Sequence, residues 1–594
     1  MSLFVFLFLP FAQLHFAHAS DLETVVVTAT RTNSNGANIA SDYSILQGEE
    51  VRSSGGTDLT NALNSLPGLH MSSTGGAGQP KSLSIRGAQS ENTLVLVDGV
   101  AVNDPLSPAR GFDFANFPLD SIERVEVIRG PESVLYGSDA LGGVVNIITK
   151  SGSKKAELNL SGGSYGTAQG NFSAAGFSSS FLESKGFSAA DERLGNKEAD
   201  GYKRYSFAGD KEYSLGENTN LRLKGTYINS RADTDSRGGS GGDSFNTVAT
   251  DSQFILLTKL TNFSINDTLQ STAALSFSSH DRTDSTSGNS FYNGNVMKAS
   301  LQEDYSALKQ HLLTFGLEAQ NERGFSSDFA DPKSAAMLSA FVQDQWSPGR
   351  FFATLGARED YHPLYGSAPT FRSATGYWII PESLKWKASF GTGFKAPSLY
   401  QNYSSFGSTA LQPSKSYSWD TGLEENWTHW HLELNYFQSR FHNLIDFNSA
   451  TSKYSNISAS ESDGEEFVSG FLDGFWDLKN SITLLRSYDR NTGLLLLRKP
   501  RVTDSFTIGI QPGEQTKIAS NWQYIGARED ADPITGARVR MPSYLLVGLS
   551  AEQKLKSDLA LTLHVDNLLD HIYEDVRGFG TARFSVYLGL KSEL

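Results

Sequence analysis

Residues Leu221 to Tyr227 read Leu-Arg-Leu-Lys-Gly-Thr-Tyr, apolar and polar side chains alternating at period two. The alternation returns at Leu432 to Tyr436, at Leu559 to His564 and at Ala582 to Leu590. Polar turn clusters separate such segments, as at Ser214 to Asn220 and Lys554 to Asp558. A strand with one face in an apolar medium and one in a polar medium has this pattern. Soluble β-sandwiches share it, so periodicity alone does not choose the medium.

Composition does. Beyond Ala19 there is no run of about 18 apolar residues, which excludes spanning by α-helices. Yet the chain has 37 Phe, 22 Tyr and 8 Trp, with 55 Gly. It has no Cys, so disulfide-stapled domains, thiolate metal sites and thiol catalysis are excluded. A net charge of −15 disfavours nucleic acid as a partner. Met1 to Ala19 is apolar and ends in Ala17-His18-Ala19, an expected export signal, although no Lys or Arg precedes its core. Together these features predict an all-β transmembrane barrel. The length from Ala156 to Leu594 suits about 22 antiparallel strands of about 10 residues each, a size at which such barrels carry a plugged lumen.

The preceding segment reads differently. Leu59, Leu63 and Leu66 share one helical face, which Pro67-Gly68 ends. Short strands are expected at Leu83 to Ile85, Thr93 to Val97, Ile122 to Ile128 and Val144 to Thr149. A small α/β domain leading directly into a barrel sits beside it or inside it. Ahead of that domain, Glu23-Thr24-Val25-Val26-Val27-Thr28-Ala29 has high β-propensity and no second strand nearby in sequence. It is either an ordinary first strand or an extended ligand for another protein's sheet edge.

Several motifs resemble a known family in order along the chain. Ser84-Ile85-Arg86-Gly87, Val95 to Val100, Ile122 to Pro131 and Tyr136 to Thr149 resemble the plug domain of TonB-dependent outer-membrane receptors. Glu23 to Ala29 then matches that family's TonB box, and Asn567 to Asp570 with Tyr573 extends the match toward the C-terminus. Within the family, Pro67-Gly68, Gly75 to Gln79 and Gly391 to Pro397 are most similar to the cobalamin (vitamin B12) transporters. The resemblance implies a signal peptide at 1–19, a TonB box and linker at 20–38, a plug at 39–150 and a barrel at 151–594. It implies active transport of a corrinoid by a monomer in outer-membrane lipid, driven through the box by a periplasmic TonB-type protein. An iron–siderophore receptor is the alternative within the family. A passive porin is disfavoured because it needs neither plug nor box. Enzymatic chemistry and redox or organic cofactors are not expected, and a lone His70 does not make a catalytic site.

The same resemblance places ligand contacts at Pro80, Ser82, Gln89, Ser107 and Pro108 on plug loops, with Arg498 in a predicted barrel strand. A large, largely neutral corrinoid suits a broad polar platform. An anionic ferric siderophore favours clustered cations, and these loops offer only Lys81 and Arg110. Acidic, Gly-interrupted loops between Glu198 and Asp251 suit calcium, which takes six to eight oxygens. An EF-hand is excluded, because counting from Asp233 position twelve is Ser244. The resemblance sets Glu198, Asp200, Asp235 and Asp251 near calcium ligand positions, with Asp233 an alternative; an ordinary solvated loop is the other reading. Finally, Arg86 and Arg129, if buried, each need a carboxylate, for which Glu466 and Glu424 are candidates. Otherwise all four are solvated lumen residues.

Overall fold

The computed structural model describes residues 25–26, 28–32, 34–108, 110–151, 155–262, 268–286 and 288–593. The expected signal peptide lies outside the described residues, as do Glu23, Thr24 and Val27. From Glu157 onward, 22 antiparallel strands close into a barrel. The first, Glu157–Gly163, pairs with the last, Ser585–Glu593, and closure removes the sheet's open edges.

The alternation sorts side chains between lumen and lipid. On Trp430–Asn448, Glu433, Asn435, Phe437 and Ser439 are buried in the lumen, while Leu434 and Tyr436 face outward. Leu301 and Leu317 are cross-strand partners, both exposed on the outer wall. In water such a surface drives aggregation, and in hydrocarbon it is the solvated face. Connections are tight at one end, as from Trp346 to Phe351 and from Gly513 to Thr516, and long at the other. Short turns mark the periplasmic end and long loops the outside. Some strands exceed the expected ten residues: Trp430–Asn448 has 19 and Lys453–Leu472 has 20. About ten tilted residues cross the apolar band. The remainder continues above it, still satisfying backbone groups in the ladder.

Inside the lumen sits the small domain. Its sheet runs Tyr43–Gln47, Ile122–Arg129, Gly143–Thr149, Thr93–Val97 and Val100–Ala101, with the Thr93–Gly143 register parallel. The helix Thr60–Asn64 forms where the leucine spacing predicts it, and Leu59 and Leu63 are fully buried. They pack with Met71, Val95, Val125, Val127, Val145 and Ile147 in one apolar core. That core is mostly the plug's own. It reaches the wall at Ile228 and Ile255, and Ala88 and Leu141 meet Phe441 and Leu444 in a smaller apolar contact. Beside these, ion pairs and hydrogen bonds fasten the plug–barrel boundary.

The tightest of these contacts joins the plug's two paired arginines to the wall. Arg86 donates from Nε to Glu466 Oε1 at 2.9 Å and from Nη2 to Oε2 at 2.6 Å. The fork geometry is the strong, bidentate one. Arg129 Nη2 reaches Asp42 Oδ1 at 2.6 Å, and Arg86 also contacts Asp42. All four groups are buried. Burial alone pushes Asp42 up, but Arg129, then Lys387 and Arg86, hold its carboxyl well below the usual range. Asp420 lies 3.6 Å from Arg86 Nη1. Glu424, expected as a partner, is not one: it pairs with Lys385 at 3.0 Å and lies 3.8 Å from Lys387. Pro67-Gly68 serves this cluster. Gly68 has φ +74°, and a Cβ there would sit 2.1 Å from Glu466 Oε1.

Removing Asp42 leaves two buried guanidiniums sharing too little negative charge. Asp42→Ala is expected to cost the plug about 3–5 kcal/mol, the scale of breaking a buried ion pair. Hydrogen exchange at amides of the plug sheet should accelerate at least about a hundredfold, with barrel amides unchanged. Unaltered plug protection would show that Glu466 and Asp420 suffice for both arginines.

Candidate functional site

Three places on the molecule carry the residues singled out from the sequence. The first is the outward surface of the plug. Pro80 and Ser82 are exposed beside the hairpin Leu69–Ser73 with Lys81–Ile85, and Pro108 is exposed in the next loop. Gln89 and Ser107 are half-buried. The Ser107 loop is held by Arg110 N donating to Ser107 O at 3.0 Å and by Ser398 Oγ donating to Pro108 O at 3.3 Å. The two cations of these loops are turned away and neutralised. Lys81 is buried 3.3 Å from Asp58, and Arg110 is buried between Asp139 at 3.0 Å and Glu322 at 2.7 Å. Arg498 is not in a barrel strand. It sits in the connection between Trp476–Asp489 and Val502–Gly513 at φ 58°, with Nε 2.9 Å from Asp530 Oδ1. A cavity of about 520 Å³ lies elsewhere, at the periplasmic end between the helix Gly48–Ser53 and the wall around Trp476 and Lys517.

The second place is the acidic loop pair. Asp200 accepts from Ala189 N at 2.6 Å, and Asp235 accepts from Ala190 N at 2.7 Å and Ser244 N at 2.9 Å. Adjacent amides of one loop thus draw Asp200 and Asp235 together. Burial, and then the negative charge of Asp235 and Glu198, pushes the Asp200 carboxyl up to about 7. Oδ1 of Asp200 and Oε2 of Glu198 are buried without a hydrogen-bond partner. Such oxygens fit a cation. Among the described residues, however, no three His, Cys, Asp or Glu side chains are closed up as a metal set. Asp251 is placed apart from Glu198, Asp200 and Asp235, on the strand Val248–Thr261, where it accepts from Gln253 at 2.6 Å and Asn116 at 3.4 Å. Its neighbouring charges are those of His280, Arg282 and Asp104. Ser240, within Gly238-Gly239-Ser240-Gly241-Gly242, has the spacing of a hydrolase nucleophile turn but lies mid-loop, without the strand-to-helix setting that chemistry needs.

The third place is the segment ending at Ala29. Its expected isolation is corrected by the backbone: Val25–Val26 pairs antiparallel with Ser34–Asn35. The partner strand lies in the polar Gly- and Asn-rich stretch, which carries no hydrophobic signal. Thr28 is fully buried against the plug sheet. Its N and Oγ1 both donate to Glu126 Oε2, at 2.9 and 2.5 Å, and Tyr136 Oη donates to its carbonyl at 2.8 Å. Arg31 follows, with Nη1 2.8 Å from Glu318 on the wall and its guanidinium over the rings of Tyr136 and Phe341. Neither Glu126 nor Arg31 was singled out from the sequence. Glu126 had a signal, a carboxylate between Val125 and Val127 in an otherwise apolar strand.

Comparison with known proteins agrees with this architecture. A family model described as TonB dependent receptor-like, beta-barrel matches residues 150–568, and one for the TonB-dependent receptor plug domain matches residues 36–144. The vitamin B12 transporter BtuB of Vibrio cholerae is 29% identical over 98% of this chain and 97% of its own length. That of Photobacterium profundum is 27% identical over 97% and 96%. Among solved structures, the siderophore receptor PirA from Acinetobacter baumannii gives a TM-score of 0.78 at 17% identity, covering 93% of this chain and 98% of PirA. The FrpB iron transporter from Neisseria meningitidis gives 0.79 at 14%, covering 92% and 98%. At those identities the structures speak for the fold alone. Two matched models in order, over a plugged 22-strand barrel, make this chain a member of the TonB-dependent receptors, a transport family of the outer membrane.

Proposed function

We propose that this receptor imports a corrinoid, driven by a periplasmic TonB-type protein. The observation that carries the ligand reading is the character of the plug's outer surface. Pro80, Ser82 and Pro108 are exposed there, while Lys81 and Arg110 are buried on carboxylates. A platform of small polar and apolar groups matches a bulky neutral ligand with many amides. An anionic chelate gains little from cations already paired. Arg498, 42% exposed at the rim, is the one predicted contact able to offer charge. The fold's siderophore- and iron-receptor neighbours keep a ferric siderophore as the second reading, because sites are grafted onto folds.

Coupling requires the Val25–Val26 strand and Thr28 to leave their present partners and pair with another sheet edge. Backbone hydrogen bonds supply the affinity in such strand addition. Calcium is proposed to bind at Glu198, Asp200 and Asp235, ordering the two loops beside the ligand platform. The ion supplies positive charge to carboxylates that otherwise repel one another.

Three expected outcomes follow from these sites. Purified receptor with calcium present should bind cyanocobalamin and not a panel of ferric siderophores in equilibrium titrations; the reverse pattern overturns the corrinoid reading and leaves transport standing. Val26→Pro should bind ligand normally yet accumulate none in cells, since proline removes a ladder donor from the extended segment. Wild-type uptake by that variant would disconnect the segment from coupling. Calcium affinity should depend on pH. Asp200 with its carboxyl near 7 is mostly protonated at pH 6, so affinity should fall by about fivefold between pH 7 and pH 6. Without metal the sign reverses for stability: the raised carboxyl favours the folded loop at low pH, and that contribution fades as pH rises through about 4 to 7. A flat calcium titration from pH 6 to 8 would remove Asp200 from the site.

A further inference from the structure

The chain is strongly acidic, yet one stretch of its outer wall gathers cations. Four consecutive strands form it: Ser414–Asn426, Trp430–Asn448, Lys453–Leu472 and Trp476–Asp489. On the outward-facing parity lie Lys415, Arg440 and Arg486, and Arg490 follows directly after the last strand. Register brings them together. Lys415 opposes His442, Tyr417 opposes Arg440, Arg440 opposes Glu461, and Asp463 opposes Arg486. Arg440 Nε lies 3.0 Å and Arg490 Nε 3.4 Å from Glu461 Oε2, and Arg486 Nε lies 3.7 Å from Asp463. Two carboxylates thus serve three arginines, Lys415 is a fourth cation, and even with Glu465 next along the same face the patch keeps net positive charge.

Its height matters as much as its charge. Trp427, Trp430 and Phe471 cluster at the tight-turn end of these same strands. Arg440 stands ten residues along the strand from Trp430, which at ~3.3 Å per residue and a tilt of about 40° is ~25 Å. That is the thickness of the apolar band, so the patch lies at the opposite interface, the outer-leaflet headgroups. Trp419 and Tyr436, packed at 5.4 Å on the outer face just below it, are the aromatic girdle of that interface. Cations on a lipid-facing wall are expensive within hydrocarbon and favourable where anionic headgroups lie.

We propose that Lys415, Arg440, Arg486 and Arg490 form a binding site for the phosphate groups of an outer-leaflet glycolipid. Each arginine has its Nε within ion-pair range of a carboxylate, at 3.0 Å for Arg440, 3.4 Å for Arg490 and 3.7 Å for Arg486. Arg440 is braced further by donating from Nη1 to Tyr417 Oη at 2.9 Å. A guanidinium has five donors, so one such contact leaves capacity for a bidentate phosphate. The carboxylates preorganise the forks rather than cancel them: Arg486 remains 60% and Arg490 38% exposed.

The test uses full-length receptor in detergent, with bisphosphorylated lipid A and its dephosphorylated form as probes and native mass spectrometry as readout. The unmutated protein should retain the phosphorylated lipid, with retention falling steeply as salt rises. Retention should drop at least tenfold in the combined R440Q, R486Q and R490Q variant. K211Q serves as the control, since Lys211 is exposed on the outer wall near the periplasmic end and the change removes a charge there. That variant should match the unmutated protein. Mobility of unheated samples in gels verifies that each barrel is closed. Equal retention of the two lipids, or a folded triple variant that binds like the parent, overturns the proposal; so does K211Q losing as much as the triple variant.

Discussion

Two plug guanidiniums, a plug carboxylate and a wall carboxylate, sealed from water in the lumen, are the contact on which this structure hangs. Arg86 bridges Asp42 at the start of the plug and Glu466 on the barrel, and Arg129 stands 3.6 Å from the same Glu466. Arg129 comes from the far end of the strand Ile122–Arg129 and shares Asp42. Four segments distant in sequence therefore meet at one charge-balanced point. Around it the backbone is shaped to fit. Gly68 gives way to the Glu466 carboxylate, and a Cβ at Gly87 would crowd Ser462 and Ser487, both at 2.8 Å. Both glycines also hold left-handed backbone, at φ +74° and +78°, so the plug's own turns and its seat against this wall each require them.

Much of this was legible in the sequence, and the failures have a common cause. Period-two alternation tells which face of a strand a residue occupies but not how high along the barrel it stands. Glu424 was assigned to the right face. It shares the lumen parity of Asp420, the residue that does lie beside Arg86, and stands four residues nearer the periplasm. At ~3.3 Å per residue that is ~13 Å along the strand, beyond reach of the arginines. Arg498 failed for another reason. Leu494 to Leu497 is apolar enough to read as strand, but the structure gives it only isolated bridges, Leu497 to Glu529 and Leu495 to Tyr488. Asp42 had no sequence signal at all, because a single acid in an irregular approach to a strand has no period to belong to. Asp251 was placed by resemblance, and its neighbours belong to a different polar group.

The segment proposed for coupling illustrates how tertiary structure revises a correct local reading. Extended geometry at Val25–Val26 is what the β-branched run demands. What the run cannot reveal is the hold on its C-terminal end. Thr28 is tied to Glu126 and Asn146 on two strands of the plug sheet, and Arg31 to Glu318 on the wall. A pull on residues ahead of Thr28 is therefore shared between the ladder to Ser34–Asn35 and the plug's central sheet. Arg31, between those two attachments, ties the same stretch to the wall. Hydrogen bonds to a charged acceptor are each worth about 1.5–3 kcal/mol, so the segment is held firmly but within reach of a strand-addition partner.

The ion pairs across the plug–barrel boundary have a consequence for how the plug is held, beside the smaller apolar contacts there. An apolar interface of that extent would be held by roughly 25 cal/mol for each Å² removed from water. Separating it would then expose hydrophobic surface and cost free energy in proportion to area. Ion pairs behave otherwise. Their desolvation penalty is incurred on assembly and recovered on opening, since water entering the gap resolvates each charge. Arg86 with Glu466, Arg110 with Glu322, Arg31 with Glu318 and Lys224 with Asp98 all cross this boundary. Each fixes orientation strongly while dry and weakens once wet. A plug fastened this way is rigid at rest, yet the first water admitted lowers the cost of the next separation.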